Sequence, residues 1–467
     1  MDYSLIILLP PLFSNEVAEL DSTAVLELRC RSADNMAHAP PPAIESGLQS
    51  TLYVLEASPV SCLFRFNTQW VFNLIPVNVC VDMHIYSLYS STLDYASSNR
   101  DIHQIQHRNF AIRIFSPPLQ QFVMADQNIP HTRRALRRGG PHVAEFVDEA
   151  IPFRGSSDVL IRVRAVSLNY KDLAMLDDNF PWPVPSNIIM GADVAGEVVW
   201  VGDKVTLFEV GNRVAAIHNL DNITGRELTA RAPGQGVDGT LATYVVFVEV
   251  ELVKIPDNLT WAEASIVPCS GVTAWSALNM RTNNLWGKTV LVQGTGGVSI
   301  IALSLAAKAG ATVIATSSSD AKLERATKLG ATHVINYKQN PNWEEEVLKL
   351  TGGLGVDIVI EQGGADSLLQ SVQSIRREGQ ISQVGFLSGD GQGDLFRLVQ
   401  LLIMKKCSIV GIQVGSKGDL EDLMNFLRKP HFKLDSCIDR VFSFDQSLEA
   451  FDYMRKGSAV GKIVIEF

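Results

Sequence analysis

From Thr289 onward, short apolar runs alternate with longer stretches of helical period. Thr289–Val292 is a strand-length run and Val298–Lys308 an apolar helix that stops at Gly310. Thr312–Ala315 is a second strand, and Asp320–Leu329 an amphipathic helix that stops at Gly330. His333–Asn336, Asn342–Thr351, Val356–Glu361, Gln380–Val384 and Ser408–Val414 follow as strand, helix, strand, strand and strand. This rhythm predicts a parallel sheet with helices on both faces. Upstream the pattern differs: Val159–Val166 alternates apolar and charged residues, and Val194–Val201, Tyr244–Val250 and Val253–Ile255 are further strand candidates. They predict a β-rich module of about 140 residues, the size of one domain.

The first 123 residues read differently again. They hold no lysine, three of the six cysteines (Cys30, Cys62, Cys80) and a serine-rich pattern with little period. Leu52–Leu55 and Leu63–Phe66 have strand character with no hairpin signal between them. Residues 38–43, His-Ala-Pro-Pro-Pro-Ala, have the composition of an extended linker. Met124 looks like a natural start. Residues 1–123 are expected to be an extension, disordered or an artefact of the gene model, and dispensable for folding of the rest.

Composition narrows the function classes. The net charge of -10 over 467 residues argues against nucleic acid as main partner, because phosphate binding needs a basic surface. No cysteine pair has C-x-x-C spacing, and the cysteines are too sparse for a disulfide scaffold. The apolar run Leu5–Phe13 follows Asp2 rather than a basic segment and is broken by Pro10 and Pro11, unlike a signal peptide. The stretch from Phe66 to Val81 is too short and too polar to span a bilayer. The expectation is a soluble, cytoplasmic protein acting on a small molecule, with no membrane partner.

The chemistry starts after the strand Thr289–Val292, at Gln293-Gly294-Thr295-Gly296-Gly297-Val298-Ser299, where a helix begins at once. Glycine lets the backbone approach a pyrophosphate closely, and the helix N-terminus offers free N–H groups and a positive dipole end. Between a strand and a helix that open a βαβ unit, this turn predicts a dinucleotide site at Gly294, Thr295, Gly296, Gly297 and Val298. Ser299 stands where the fingerprint has a third glycine. An NAD-selective fold places an acid about 20 residues on, against the ribose 2′-hydroxyl. Here the second strand ends Ala315-Thr316-Ser317-Ser318-Ser319, with no acid at its tip. Ser317, Ser318 and Lys322 suit a 2′-phosphate, so the cofactor expected is NADPH. The serines could equally cap the following helix, and both uses can coexist.

Several segments in order carry a resemblance. They are Ala165-Val166-Ser167-Leu168-Asn169-Tyr170-Lys171-Asp172, Gly191-Ala192-Asp193-Val194-Ala195-Gly196-Glu197-Val198 and Val210-Gly211-Asn212-Arg213-Val214. Gly239-Thr240-Leu241-Ala242-Thr243-Tyr244 and Thr273-Ala274-Trp275 complete the set. From about residue 128 the chain resembles the medium-chain dehydrogenase/reductase superfamily, in its zinc-free quinone oxidoreductase and enoyl reductase branch. The resemblance implies an α/β architecture: a GroES-like β-rich catalytic domain plus a Rossmann doubly wound parallel sheet. The catalytic domain would span 124–268, the Rossmann domain 269–415, and 416–467 would return to the catalytic domain. The active site would lie in the cleft between them.

Zinc members of this superfamily bind the catalytic metal at three positions, which fall here on Asn169, Ala192 and Cys269. One thiol cannot hold zinc, which needs three protein ligands in a catalytic site. The resemblance therefore implies no metal, Cys269 as a structural thiol, and substrates whose developing charge is delocalised: enones, enoyl thioesters or quinones. It further places Tyr337 near the adenosine 2′-phosphate, Gly385, Phe386 and Leu387 over the nicotinamide ribose, and Thr273 near the nicotinamide ring. Tyr170 would be the proton donor, with Asn169 beside it and Lys171 as an alternative donor. The long segment from Asn219 to Gly239 would shape the substrate mouth, and Ser408–Val414 would pair two copies into a homodimer. Three uses stay open: this reductase, a zinc-free alcohol or aldehyde dehydrogenase, and a non-catalytic NADPH-binding scaffold.

Overall fold

The computed structural model describes residues 131–467 except 153, 229–230, 388–393 and 430–431; before residue 131 it describes the backbone of five strands alone. The chain divides into two compact units, Met1–Arg113 and Ile114–Phe467. In the first, Tyr3–Leu8 and Asp82–Ile85 pair with Val25–Cys30, and Thr51–Ala57 pairs antiparallel with Val60–Phe66. Leu52–Leu55 and Leu63–Phe66 thus lie in strands, and they do form a hairpin, contrary to the reading of the sequence. The linker at 38–43 and the junction at Met124 lie outside the described residues.

The second unit begins with a hairpin that the sequence pattern hid, β1 (Thr132–Gly140) and β2 (Val143–Ala150). Its arginines and acids pair across it, Arg133 and Arg137 with Glu149, so charge rather than apolar period marks these strands. The catalytic sheet follows. Its strands are β3 (Asp158–Leu168), β4 (Ala195–Val201), β5 (Arg213–Ala216), β6 (Tyr244–Val248), β7 (Leu252–Lys254), β14 (Ile438–Ser443) and β15 (Lys462–Glu466). They run in the order β7-β5-β4-β3-β15-β14, with β6 also on β3. Strand β3 shows how the sequence builds this sheet. Arg162 and Arg164 alternate outward until Ala165, where β15 joins antiparallel and the strand becomes buried on both sides. Short helices α1 (Tyr170–Leu176), α2 (Trp261–Ser265) and α3 (Val272–Ala277) surround it, with a π-helical turn at Val267–Gly271 before α3.

The Rossmann sheet comprises β8 (Thr289–Gln293), β9 (Thr312–Ser317), β10 (His333–Asn336), β11 (Val356–Glu361), β12 (Ile375–Gln383) and β13 (Ser408–Gly411). All its pairings are parallel and its order is β10-β9-β8-β11-β12-β13, the doubly wound arrangement that binds dinucleotides at the first strand. Helices α4 (Gly297–Lys308), α5 (Asp320–Lys328), α6 (Trp343–Leu350), α7 (Ala365–Ser374) and α8 (Leu395–Lys405) link the strands. Strand β12 starts five residues before the apolar run beginning at Gln380, because Arg376-Arg377-Glu378 interrupts the period. Helices α9 (Lys417–Leu427) and α10 (Ser447–Arg455) lead back to the catalytic sheet.

One apolar core runs from the catalytic sheet to one face of the Rossmann sheet, through Val166, Ile189, Ile266, Val292, Ile300 and Val464. A second fills the opposite Rossmann face, around Leu291, Ile314, Val347 and Val359. Among the described residues, no helix is long and apolar enough to cross a membrane.

Candidate active site

Strand β8 delivers the glycine turn to the seam with the catalytic sheet. Gly294 has φ +73°, a left-handed conformation that strains other residues. Gly296 caps α4, and a Cβ there would meet only open space, the gap a phosphate needs. Gly297 is closely approached, since a Cβ would lie 2.5 Å from Cδ of Lys462. Ser299 is more than a tolerated replacement for glycine. Its buried hydroxyl donates to the Gln293 carbonyl at 2.7 Å and closes the turn. The Gln293 side chain then braces β8 to β11 by donating to Glu361 at 2.7 Å and accepting from the Gln362 N–H at 3.0 Å.

The expected 2′-phosphate residues gather only in part. Ser317 and Ser318 end β9, and the Tyr337 N–H donates to the Ser317 carbonyl, which sets Tyr337 at the same strand tip with a half-exposed ring. The acid nearby, Asp320, is held by Asn336 at 2.7 Å and Gln339 at 2.9 Å. Ser319 caps α5 without a side-chain bond, whereas the Ser317 hydroxyl is buried and accepts from the Ser319 N–H at 3.4 Å. Lys322 instead donates to the Gly457 carbonyl at 2.6 Å. Gly385 packs against Gln362, leaving Phe386 and Leu387 exposed beyond β12, and Thr273 Oγ1 donates to the Cys269 carbonyl at 2.7 Å.

Opposite the turn lies a buried polar cluster built from five parts of the chain. Asp193 is fully buried. Its Oδ2 accepts from Ser167 Oγ at 2.8 Å and Asn169 Nδ2 at 3.0 Å, and lies 3.5 Å from Lys462 Nζ. Its Oδ1 faces His218 Nδ1 at 3.4 Å. Lys462 also donates to the Leu168 carbonyl at 2.8 Å and to Asn169 Oδ1 at 2.6 Å. Its stem packs on Gly297, so one lysine of β15 touches both the cofactor turn and the cluster.

Burial works against the ionised form of Asp193, but the Lys462 ammonium and His218 outweigh it and hold the carboxyl below its ordinary range. Burial, seconded by the Lys171 charge, lowers His218 below the usual imidazole value despite Asp193. The Cys269 residue is half-buried but its thiol lies in the interior, and burial pushes it up to about 12. Burial also raises Asp172, at the start of α1, to about 6, and its Oδ1 finds no partner among the described residues.

This geometry corrects two expectations. Cys269 does not stand as a lone donor: Asp193, His218 and Cys269 bring ligand-type atoms within 4.8 Å of one another. Nor does the structure bring Tyr170 among the converging groups, since it begins α1 with 65% of its surface exposed. Lys171 donates to the Pro233 carbonyl at 3.3 Å, and both amide atoms of Asn169 are engaged inside the cluster. Sequence reasoning missed Asp193, His218 and Lys462 as functional residues. Lys462 had a readable signal, a single charge in the apolar run from Val460 to Ile465, because a buried charge must find a partner. His218 had none, because the residues that meet it are remote in sequence.

A GroES-type sheet completed around a doubly wound nucleotide fold, with a polar cluster at the glycine turn, defines an NAD(P)-dependent oxidoreductase. Residues 155–257 match the family of the alcohol dehydrogenase GroES-like domain and residues 297–429 that of zinc-binding dehydrogenases. The chain is 38% identical over 315 residues to a zinc-type alcohol dehydrogenase-like protein of Schizosaccharomyces pombe, covering 66% of this chain and 90% of that one. It is 31% identical to a quinone oxidoreductase-like protein 2 homolog of Nematostella vectensis, covering 67% and 82%. A solved NAD-dependent alcohol dehydrogenase superposes with a TM-score of 0.64 at 30% identity, over 72% of this chain and 99% of that one. The chain belongs to the medium-chain dehydrogenase/reductase superfamily.

Proposed function

We propose that the protein is a zinc-independent, NADPH-dependent reductase of activated double bonds or carbonyls, with enones, enoyl thioesters or quinones as substrate classes. The observation that carries this reading is Lys462 in the centre of the cluster. Asp193, His218 and Cys269 have donor types that zinc accepts, so the set must be tested against the metal. It fits poorly. Both Asp193 oxygens face other partners, and the ammonium 3.5 Å away would confront an incoming dication in a dry interior. A thiol pushed up to about 12 also resists ionisation. Without a Lewis acid, substrates that spread their own negative charge are favoured.

NADPH rather than NADH fits a strand tip that ends in serines and has its acid turned away to Asn336 and Gln339. A homodimer belongs to the same reading. Helix α8 packs Leu398, Leu401 and Leu402 inward but leaves Leu395, Phe396, Ile403 and Met404 exposed, next in chain to the edge strand β13. A second reading, oxidation of an alcohol without zinc, is favoured by the neutral His218 beside Asp193.

The test is turnover of NADPH with a panel of enones, quinones, aldehydes and alcohols, before and after exhaustive chelation. Enones or quinones should react fastest and the rate should survive chelation. Loss of activity on metal removal would overturn the zinc-independent reading.

A further inference from the structure

The polar groups around the cluster are nearly all committed. Lys462 spends its protons on Leu168, Asn169 and Asp193. Ser167 donates within the cluster, Lys171 donates to Pro233 and Thr273 to Cys269. The Cys269 thiol holds its proton too tightly to give it up. His218 differs. It lies two residues past the end of β5, keeps 8% of its surface exposed, and immediately precedes the long segment from Asn219 to Gly239. With Nδ1 turned toward the Asp193 carboxylate, Nε2 lies on the far side of the ring. A carboxylate behind one nitrogen fixes the tautomer and leaves the other to exchange a proton.

We propose that His218, oriented by Asp193, carries the proton that accompanies hydride transfer. This rests on the oxidoreductase reading above. In reduction, bound NADPH would supply the hydride for the new C–H bond and be oxidised to NADP+, while the electron pair of the attacked double bond moves to the substrate oxygen. The resting ring, neutral with Nδ1–H toward Asp193, first takes a proton from water at Nε2; that N–H bond then breaks as the substrate O–H bond forms, and the ring returns to its neutral form. In oxidation each step reverses, and neutral His218 takes the alcohol proton while hydride passes to NADP+. The groups that set the ring's charge are Asp193, Lys171 and Lys462, and burial together with the lysines makes the neutral base the resting form.

The test compares the wild-type chain with His218→Asn and His218→Ala, each assayed for NADPH affinity, metal content and single-turnover hydride transfer on the best acceptor of the panel. Asparagine keeps a polar contact toward Asp193 but has no second ring nitrogen. The expected result is NADPH affinity within about twofold and a hydride-transfer rate lowered on the order of a hundredfold or more, with partial rescue of His218→Ala by free imidazole. A rate for His218→Asn within about threefold of wild type would overturn the assignment, leaving the oxidoreductase reading standing. Stoichiometric zinc in the wild type that is lost from both variants would overturn it too, by making His218 a ligand. A wild type that transfers hydride to no acceptor would remove the oxidoreductase reading, and this proposal with it.

Discussion

The glycine turn and the buried cluster face each other across one seam, yet they are built in opposite ways. The turn is seven consecutive residues, Gln293 to Ser299, whose conformation is dictated locally by glycine and by one hydroxyl closing onto Gln293. The cluster is Ser167, Asn169, Asp193, His218, Cys269 and Lys462, drawn from both ends of the catalytic sheet and from a π-helical turn. A local device tolerates single losses because its neighbours still hold the backbone. A dispersed charge cluster does not, because each buried charge depends on a partner delivered by another part of the fold.

The sharpest way to break this comparison is Lys462→Met. It leaves Asp193 buried beside no cation, and removing one partner of such a pair costs roughly 3–5 kcal/mol. Urea denaturation of the two proteins should show a lower midpoint at unchanged slope, equivalent to an unfolding free energy reduced by that amount. An unchanged midpoint would mean that Ser167, Asn169 and His218 alone satisfy the carboxylate. Next in size is Ser317→Asp, which sets a carboxylate at the tip of β9 where the 2′-phosphate would sit. Fluorescence titration should show NADPH binding weakened roughly tenfold to a hundredfold and NADH overtaking it. Equal affinity of the wild type for the two cofactors would sink the cofactor reading. The smallest effect belongs to the turn itself. Ser299→Gly restores the usual fingerprint but deletes a buried hydrogen bond, so thermal denaturation should show a loss of about 1–2 kcal/mol rather than a gain.

What could be read from the chain follows the same division. The Rossmann strands carry their own apolar period and their own glycine stops, so nearly every one from Thr289 to Ser408 was recognisable within a few residues. The exceptions are physical. The opening of β12 is disguised by Arg376, Arg377 and Glu378, and the hairpin β1–β2 buries Ala135 and Leu136 among arginines paired to carboxylates that mask its apolar period. The glycine turn was legible because its conformation is set by its own residues. The cluster was not, because Asp193 and His218 are 25 residues apart and Lys462 a further 244 beyond, and nothing local says that they meet. Tyr170 drew attention for the opposite reason. It stands in a recognisable segment, but as the first residue of α1 it faces outward while its neighbour Asn169 turns in.

Strand β15 gives this design an order in time. The Rossmann sheet is contiguous from Thr289 to Gly411 and can assemble in the sequence in which the ribosome releases it. The catalytic sheet is different, for β3 is flanked by β15, with Ile463 paired to Leu168 across almost three hundred residues. Until Lys462 emerges, the nascent catalytic sheet has an open edge and Asp193 an uncompensated negative charge. Such a remote closure is slow and leaves an unpaired strand exposed to other chains. The first-made half of the catalytic sheet is therefore the last part of it to become native, and the growing chain needs protection at β3 above all.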